Sequence, residues 1–209
     1  MIEPPLFDLP PIASPATAAP TPAPNRGARQ SRFGKDALNR YDTIDPRAVA
    51  ALLPHLAPRT RFIEPCAGKG DLVRQLVAAG HKCSDAIDIA PRADGIRQMD
   101  ALNRSWHAGN DLIITNPPYD WPVLSLMIPH FTERALLTWL LLEAAFMHTR
   151  RAGPLMQRCR KIVSIGRLKW AADTEHSSTK DYCWYQFGST PSPGNTAQFY
   201  GRSWQKVGK

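Results

Sequence analysis

The sequence lacks a CxxC pair: its four cysteines, Cys66, Cys83, Cys159 and Cys183, are scattered and show no metal-ligand spacing with histidine. That excludes a zinc ribbon or a thioredoxin-type redox motif, and such thiols suit a reduced, cytoplasmic chain. Long apolar runs are missing too. The most apolar stretch, 135–147, is broken by Glu143 and falls short of the ~18 residues that cross a membrane, so no membrane partner is expected. The N-terminus has no basic start followed by an unbroken apolar core, so no secretory signal peptide is expected. Internal repeats are absent as well.

Proline is unevenly spread. Eight of the 20 prolines fall in the first 29 residues, among many alanines and without regular apolar spacing. Such a stretch cannot bury enough surface to offset the entropy of ordering it, so residues 1–30 are expected to form a disordered arm. Hydrophobic residues make up 43% of the 209-residue chain. That is enough for one core over residues 31–190, with residues 191–209 as a C-terminal tail.

Periodicity orders the middle of the chain. Thr43 or Asp45 can cap a helix that Pro46 opens, with Val49, Leu52, Leu53 and Leu56 as its apolar stripe and Pro58 as its stop. Arg61–Glu64 reads as a short buried strand. Leu72, Val73, Leu76 and Val77 share one face of a helix that starts at Asp71 and stops at Gly80. His81–Ile89 and Asp111–Thr115 read as strands, and Trp121–Phe131, bounded by Pro122 and Pro129, as a helix. The unbroken run Leu136–Leu142 suits a central parallel strand, and Lys161–Ile165 and Cys183–Phe187 are two more. Alternating strands and helices imply a doubly wound α/β sheet, whose ligands bind outside the carboxyl ends of the strands. Two unusual loops, 65–70 and 116–119, fall at such ends.

The first loop is Glu64-Pro65-Cys66-Ala67-Gly68-Lys69-Gly70. Its glycines permit a sharp turn and close approach of a ligand to the main chain. Lys69 is followed by Gly70 rather than Ser or Thr, which excludes a P-loop, and Val73 stands where a dinucleotide fingerprint needs a small residue. Glu64 would repel a pyrophosphate and suit a ligand with an ammonium group. S-adenosylmethionine has that character: an amino acid, a sulfonium and a nucleoside, without phosphate. Asp88, ending the next strand, can accept two ribose hydroxyls. Asp100 is a weaker candidate for the adenine amine of the cofactor, and a turn or cap role is the alternative for both aspartates.

The second loop, Asn116-Pro117-Pro118-Tyr119, carries the chemistry. An exocyclic adenine nitrogen is a poor nucleophile because its lone pair is delocalised into the ring. Two acceptors, the Asn116 side-chain oxygen and the Pro117 carbonyl, can draw on its two hydrogens and favour a localised lone pair. The prolines fix the loop, and preorganised groups of this kind contribute a few kcal/mol to a barrier. Tyr119 can stack on an extruded base, worth roughly 1–3 kcal/mol, and a base in a duplex must flip to reach such a pocket.

These residues resemble a known family. Tyr41-Asp42-Thr43, Phe62 to Gly70, Asp88, Asp100 and Asn116–Tyr119, in that order, are similar to the motifs of the amino-methylating DNA adenine methyltransferases in their gamma-type arrangement. The spacing resembles the short phage- and prophage-type enzymes, over about Tyr41 to Phe187. The resemblance implies a Rossmann-like class I methyltransferase fold, with a mostly parallel seven-stranded sheet and helices on both faces. It implies S-adenosylmethionine as cofactor, held by Glu64, Pro65, Gly68, Gly70, Asp88 and Asp100, with Tyr41 and Thr43 near its methionine end. Asn116, Pro117, Pro118 and Tyr119 would hold the target base, with DNA as partner and no metal. The chain departs from the family in having no insert to serve as a separate target-recognition domain. The family's late aromatic position is matched loosely by Trp184 and Tyr185. The same tetrapeptide occurs in enzymes acting on RNA amino groups and on a protein glutamine amide. A non-catalytic nucleic-acid-binding protein on this fold is a further alternative.

Charge adds a polyanionic partner. Residues 1–149 hold equal numbers of basic and acidic residues, while residues 150–209 hold 11 basic against three acidic, so the net charge of +8 sits in the last third. Arg150, Arg151, Arg158, Arg160, Lys161, Arg167, Lys169 and Lys180 are interleaved there with Trp170, Tyr182, Trp184 and Tyr185. That mixture suits phosphate contacts beside a flipped base, with ordinary core packing as the alternative for each aromatic.

Overall fold

The computed structural model of the chain describes residues 41–103, 111–133, 135, 137–171 and 177–202. The arm expected over residues 1–30 and part of the polar loop around His176 lie outside the described residues. The described elements are α1 (Pro46–Leu52), continued by a 3-10 turn (Leu53–His55), then β1 (Arg61–Glu64), α2 (Asp71–Ala78), β2 (Lys82–Asp88) and β3 (Arg97–Gln98). There follow β4 (Leu112–Thr115), α3 (Trp121–Thr132), β5 (Leu137–Glu143), α4 (Gly153–Met156), β6 (Cys159–Arg167), β7 (Asp181–Gly188) and β8 (Gln198–Tyr200).

Local chemistry accounts for the boundaries. Asp45, not Thr43, caps α1, its carboxylate accepting the Arg47 N–H at 3.0 Å, with Pro46 in the first turn. Gly70, at φ 78°, turns the chain into α2. Pro129 lies inside α3, in its last turn, rather than bounding it.

The sheet corrects the expected count of seven strands in a mostly parallel sheet: it has eight, and it is mixed, in the order β3-β2-β1-β4-β5-β7-β6-β8. The first five strands pair in parallel, whereas β7 runs antiparallel to both β5 and β6. Among the described residues no helix separates β6 from β7, and a strand that returns without a crossover runs back antiparallel. The eighth strand, β8, lies in the segment expected to be a tail and pairs in parallel with β6.

Alternation along the strands splits the core in two. Phe62, Ile114, Trp139, Leu141, Val163 and Trp184 pack with α1 and α2 on one face. Ile63, Ile113, Leu140, Leu142, Ile162 and Tyr185 pack with α3 on the other. Helices therefore cover both faces. Trp184 and Tyr185 are fully buried, Trp184 Nε1–H donating to the Ala48 carbonyl at 2.7 Å and the Tyr185 hydroxyl to the Ala144 carbonyl at 2.9 Å. Both are core residues.

Strand order reverses between β1 and β4, where chain connections lead away to opposite sides and leave a crevice. The carboxyl ends of β1, β2, β4, β5 and β6 all fall on that edge: Glu64, Asp88, Thr115, Glu143 and Arg167.

Candidate active site

The crevice is a cleft of about 460 Å3, within the ~300–1,000 Å3 usual for small-molecule sites. Tyr41, Thr43, Glu64, Pro65, Gly68, Asp88, Asp100, Asn116, Pro117 and Pro118 all line it. Two expected residues do not: Gly70 serves the turn into α2, and Tyr119 faces a second cavity.

The loop after β1 is built to bring backbone close to a ligand. Gly68 has φ 55°, and a Cβ there would sit 3.0 Å from Arg92 Nη2. Asp88 locks the loop, one carboxylate oxygen accepting the Gly68 N–H and the other the Ala90 N–H, both at 2.8 Å. Each oxygen keeps a further lone pair. Asp100 accepts the Leu102 N–H at 2.9 Å and so caps a short turn while lining the cleft.

Glu64 is 2% exposed, and its Oε2 has no hydrogen-bond partner. Burial pushes its pKa well above the ordinary carboxylate range, although the Asn116 N–H pulls the other way. Glu64 lines the cleft, and a cation beside it would meet the unsatisfied capacity of its buried Oε2.

Asn116 is oriented by residues far away in sequence. Its Nδ2 donates to the Tyr41 carbonyl at 2.8 Å and to the Thr43 hydroxyl at 3.0 Å. Both amide hydrogens are thus spent, which leaves Oδ1 as an acceptor. The Tyr119 hydroxyl donates to that Oδ1 at 2.8 Å. Burial raises the Tyr119 pKa well above its ordinary value, so this phenol stays protonated and a donor. Its ring stacks on Tyr41, centroids 5.5 Å apart, and Trp170 and Tyr182 extend the cluster. The strap 41–43 therefore holds Asn116 directly.

Asp42, part of the Tyr41-Asp42-Thr43 motif but given no role there, and Arg92, which the sequence did not single out, also line the cleft. The Arg92 guanidinium pairs with the Asp42 carboxylate, Nη1 to Oδ2 at 3.2 Å, and Lys69 Nζ joins at 3.2 Å. Arg92 had one sequence signal: it follows Asp88 by four residues, just past a strand's carboxyl end. Among the described residues no group of three His, Cys, Asp or Glu is placed to hold a metal. No described helix is long and apolar enough to cross a membrane.

The basic residues separate into two sets. Arg150 and Arg151 follow β5, Arg167 and Lys169 sit at the end of β6, and Lys180 precedes β7, all at the cleft edge and all exposed. Arg158, Arg160 and Lys161 lie at the start of β6. Along β6, six residues of extended chain at ~3.3 Å each separate Lys161 from Arg167.

No protein-family model matches the chain, and no curated protein matches it. Solved structures do. A candidate class I S-adenosylmethionine-dependent methyltransferase from Listeria monocytogenes superposes with a TM-score of 0.51 at 9% identity, over 82% of this chain and 68% of that one. A candidate hemolysin from Lactococcus lactis gives 0.51 at 10% identity, over 74% and 88%. The fold is that of the class I methyltransferases. At such identities the likeness extends to the fold alone, and the chemistry must be read from the cleft.

Proposed function

We propose that the chain transfers a methyl group from S-adenosylmethionine to the exocyclic amine of adenine in DNA. One observation carries this reading. Asn116, with both amide hydrogens engaged, presents an acceptor oxygen in the cleft that also contains Gly68, Asp88 and the unpartnered oxygen of Glu64.

The residues fit the cofactor. Glu64 Oε2 offers a partner for an ammonium, Asp88 keeps lone pairs for ribose hydroxyls, and the Gly68 backbone is open to close approach. When bound, S-adenosylmethionine would supply an electrophilic methyl carbon, the new C–N bond being made at the expense of the C–S bond with S-adenosylhomocysteine as the leaving group. The chain's task is to prepare the amine. Asn116 Oδ1 and the Pro117 carbonyl accept its two hydrogens, which disfavours conjugation of the lone pair with the ring. The methylated nitrogen is cationic and loses one proton without needing a strong base. Arg150, Arg151, Arg167 and Lys169, exposed on the same edge, suit the phosphate backbone.

The experiment is incubation of the full chain with methyl-labelled cofactor and, separately, DNA, RNA and protein, followed by nucleoside and amino-acid analysis. Label in N6-methyladenine from DNA is the expected result. Label only in RNA or in glutamine would replace the substrate, and binding of cofactor without any transfer would favour a non-catalytic nucleic-acid-binding role.

A further inference from the structure

A second cavity, of about 230 Å3, lies on the Tyr119 side of the Asn-Pro-Pro-Tyr loop. Asn116, Pro117 and Pro118 line the large cleft and Tyr119 the small one, so the loop divides the two. The hydrogen bond from the Tyr119 hydroxyl to Asn116 Oδ1 marks where they meet.

The small cavity has flat aromatic walls and a charged end. Tyr119, Trp121 and Phe146 supply the rings, and the Arg151 guanidinium covers Trp121 at 4.5 Å from its centroid. At the charged end Lys180 Nζ contacts Glu143 Oε1 at 2.5 Å. Glu143 closes β5, and its register partner Tyr182 is the second residue of β7, two residues after Lys180, so the pairing of two adjacent strands brings this pair together at the site edge. Partial burial works against the Lys180 charge, but Glu143 outweighs it and raises its pKa, so the side chain remains an ammonium. Of the cationic set, Arg151 and Lys180 line this cavity.

A planar heterocycle whose amine reaches Asn116 Oδ1 would lay its rings against these walls. Beside that amine, adenine and cytosine each carry an unprotonated ring nitrogen, an acceptor that needs a donor. We propose that this cavity takes the target base, and that Lys180, held in place by Glu143, donates a hydrogen bond to the ring nitrogen adjacent to the reacting amine. The substrate class is thus an aminated six-membered heterocycle rather than the flexible amide of a peptide. This assignment rests on the amino-methyltransferase reading. Lys180 acts here as a specificity-determining contact, and Glu143 as a positioning residue.

The test uses the full chain, S-adenosylhomocysteine and single-stranded oligonucleotides in which every adenine is either natural or replaced by 1-deazaadenine. The analogue keeps the amine and loses the ring acceptor. Wild type should bind natural adenine roughly 10- to 100-fold more tightly, the range for a hydrogen bond from a charged donor. Lys180→Met, conservative at a half-exposed position, should bind both oligonucleotides alike, and Glu143→Gln should give an intermediate ratio. Equal discrimination by wild type and Lys180→Met would overturn the inference, as would its absence in the wild type. Transfer of labelled methyl on the same oligonucleotides keeps the two proposals apart. Discrimination without transfer would refute the methyltransferase reading alone, whereas transfer at equal rates to both would refute the role of Lys180 alone.

Discussion

At the carboxyl edge of the sheet the strands end in Glu64, Asp88 and Glu143, with Asn116 just beyond β4, and their polar atoms turn inward or toward one another across a cleft. At the opposite edge the charges answer each other at the surface. Arg61 meets Asp111 at 2.8 Å with the arginine half exposed, and Arg160 reaches the Thr190 hydroxyl at 3.2 Å. One edge leaves a buried carboxylate oxygen unpartnered beside a cleft, whereas at the other the buried Asp111 carboxylate is answered by Arg61. A folded chain tolerates the first arrangement where a ligand completes it, so the difference locates the working end of the molecule.

The largest expected effect breaks that asymmetry at its centre. Asn116→Ala should lower kcat by roughly 100- to 1,000-fold, the cost of removing one preorganised group, while cofactor affinity in calorimetry is retained. Arg61→Ala, at the far edge, should leave turnover unchanged. Undiminished turnover in the Asn116 variant would show that its oxygen takes no part.

Next come the two basic sets. Replacing Arg150, Arg151, Arg167 and Lys169 with glutamate should weaken DNA binding by about 10-fold or more at low salt and flatten its salt dependence, by removal of phosphate contacts. The same replacement at Arg158, Arg160 and Lys161 should change the salt slope little. Equal slopes would mean that charge acts without regard to the edge.

A smaller effect follows from Glu64. Its folded pKa lies above its unfolded one, so its contribution to stability is complete at pH below the ordinary carboxylate value and is lost as pH rises through the folded value. Urea midpoints of the free protein should therefore fall across that window, and Glu64→Gln should flatten the fall. Cofactor affinity should rise over the same window, because a bound ammonium favours the ionised carboxylate. An identical pH profile in the variant would remove Glu64 from the account.

The smallest expected effect on function is at Trp184. Trp184→Phe loses the bond to the Ala48 carbonyl and should cost about 1–3 kcal/mol of stability. Turnover per folded molecule should stay the same, as measured by comparing melting with active-site-normalised rates.

Much of the cleft was legible in the sequence because it is built from local patterns at strand ends. A buried run followed by Asn-Pro-Pro-Tyr, or by a glycine turn, marks a strand-to-loop junction by residue type alone. Long-range pairings were not legible. Nothing local tells that β6 and β7 form an antiparallel pair or that residues 198–200 add a strand, since these depend on which edge remains unpaired. The family resemblance implied that Tyr41 and Thr43 lie near the methionine end of the cofactor, but not that they bond the Asn116 amide 73 to 75 positions away. Trp184 and Tyr185 looked available for a base because β-strand alternation cannot distinguish a sheet face covered by helices from one that opens on a cleft. The partners of Glu143 and Lys180 likewise come from separate segments that only β5–β7 pairing brings together.

The central claim is that the loops after β1 and β4 serve one ligand between them. A crystal structure of the chain with S-adenosylhomocysteine tests it most directly. The expected result places the ligand in the cleft, with its ribose hydroxyls on Asp88, its ammonium toward Glu64 and its sulfur toward Asn116. Density for the ligand elsewhere, or a cleft that stays empty at saturating concentration, would contradict the account.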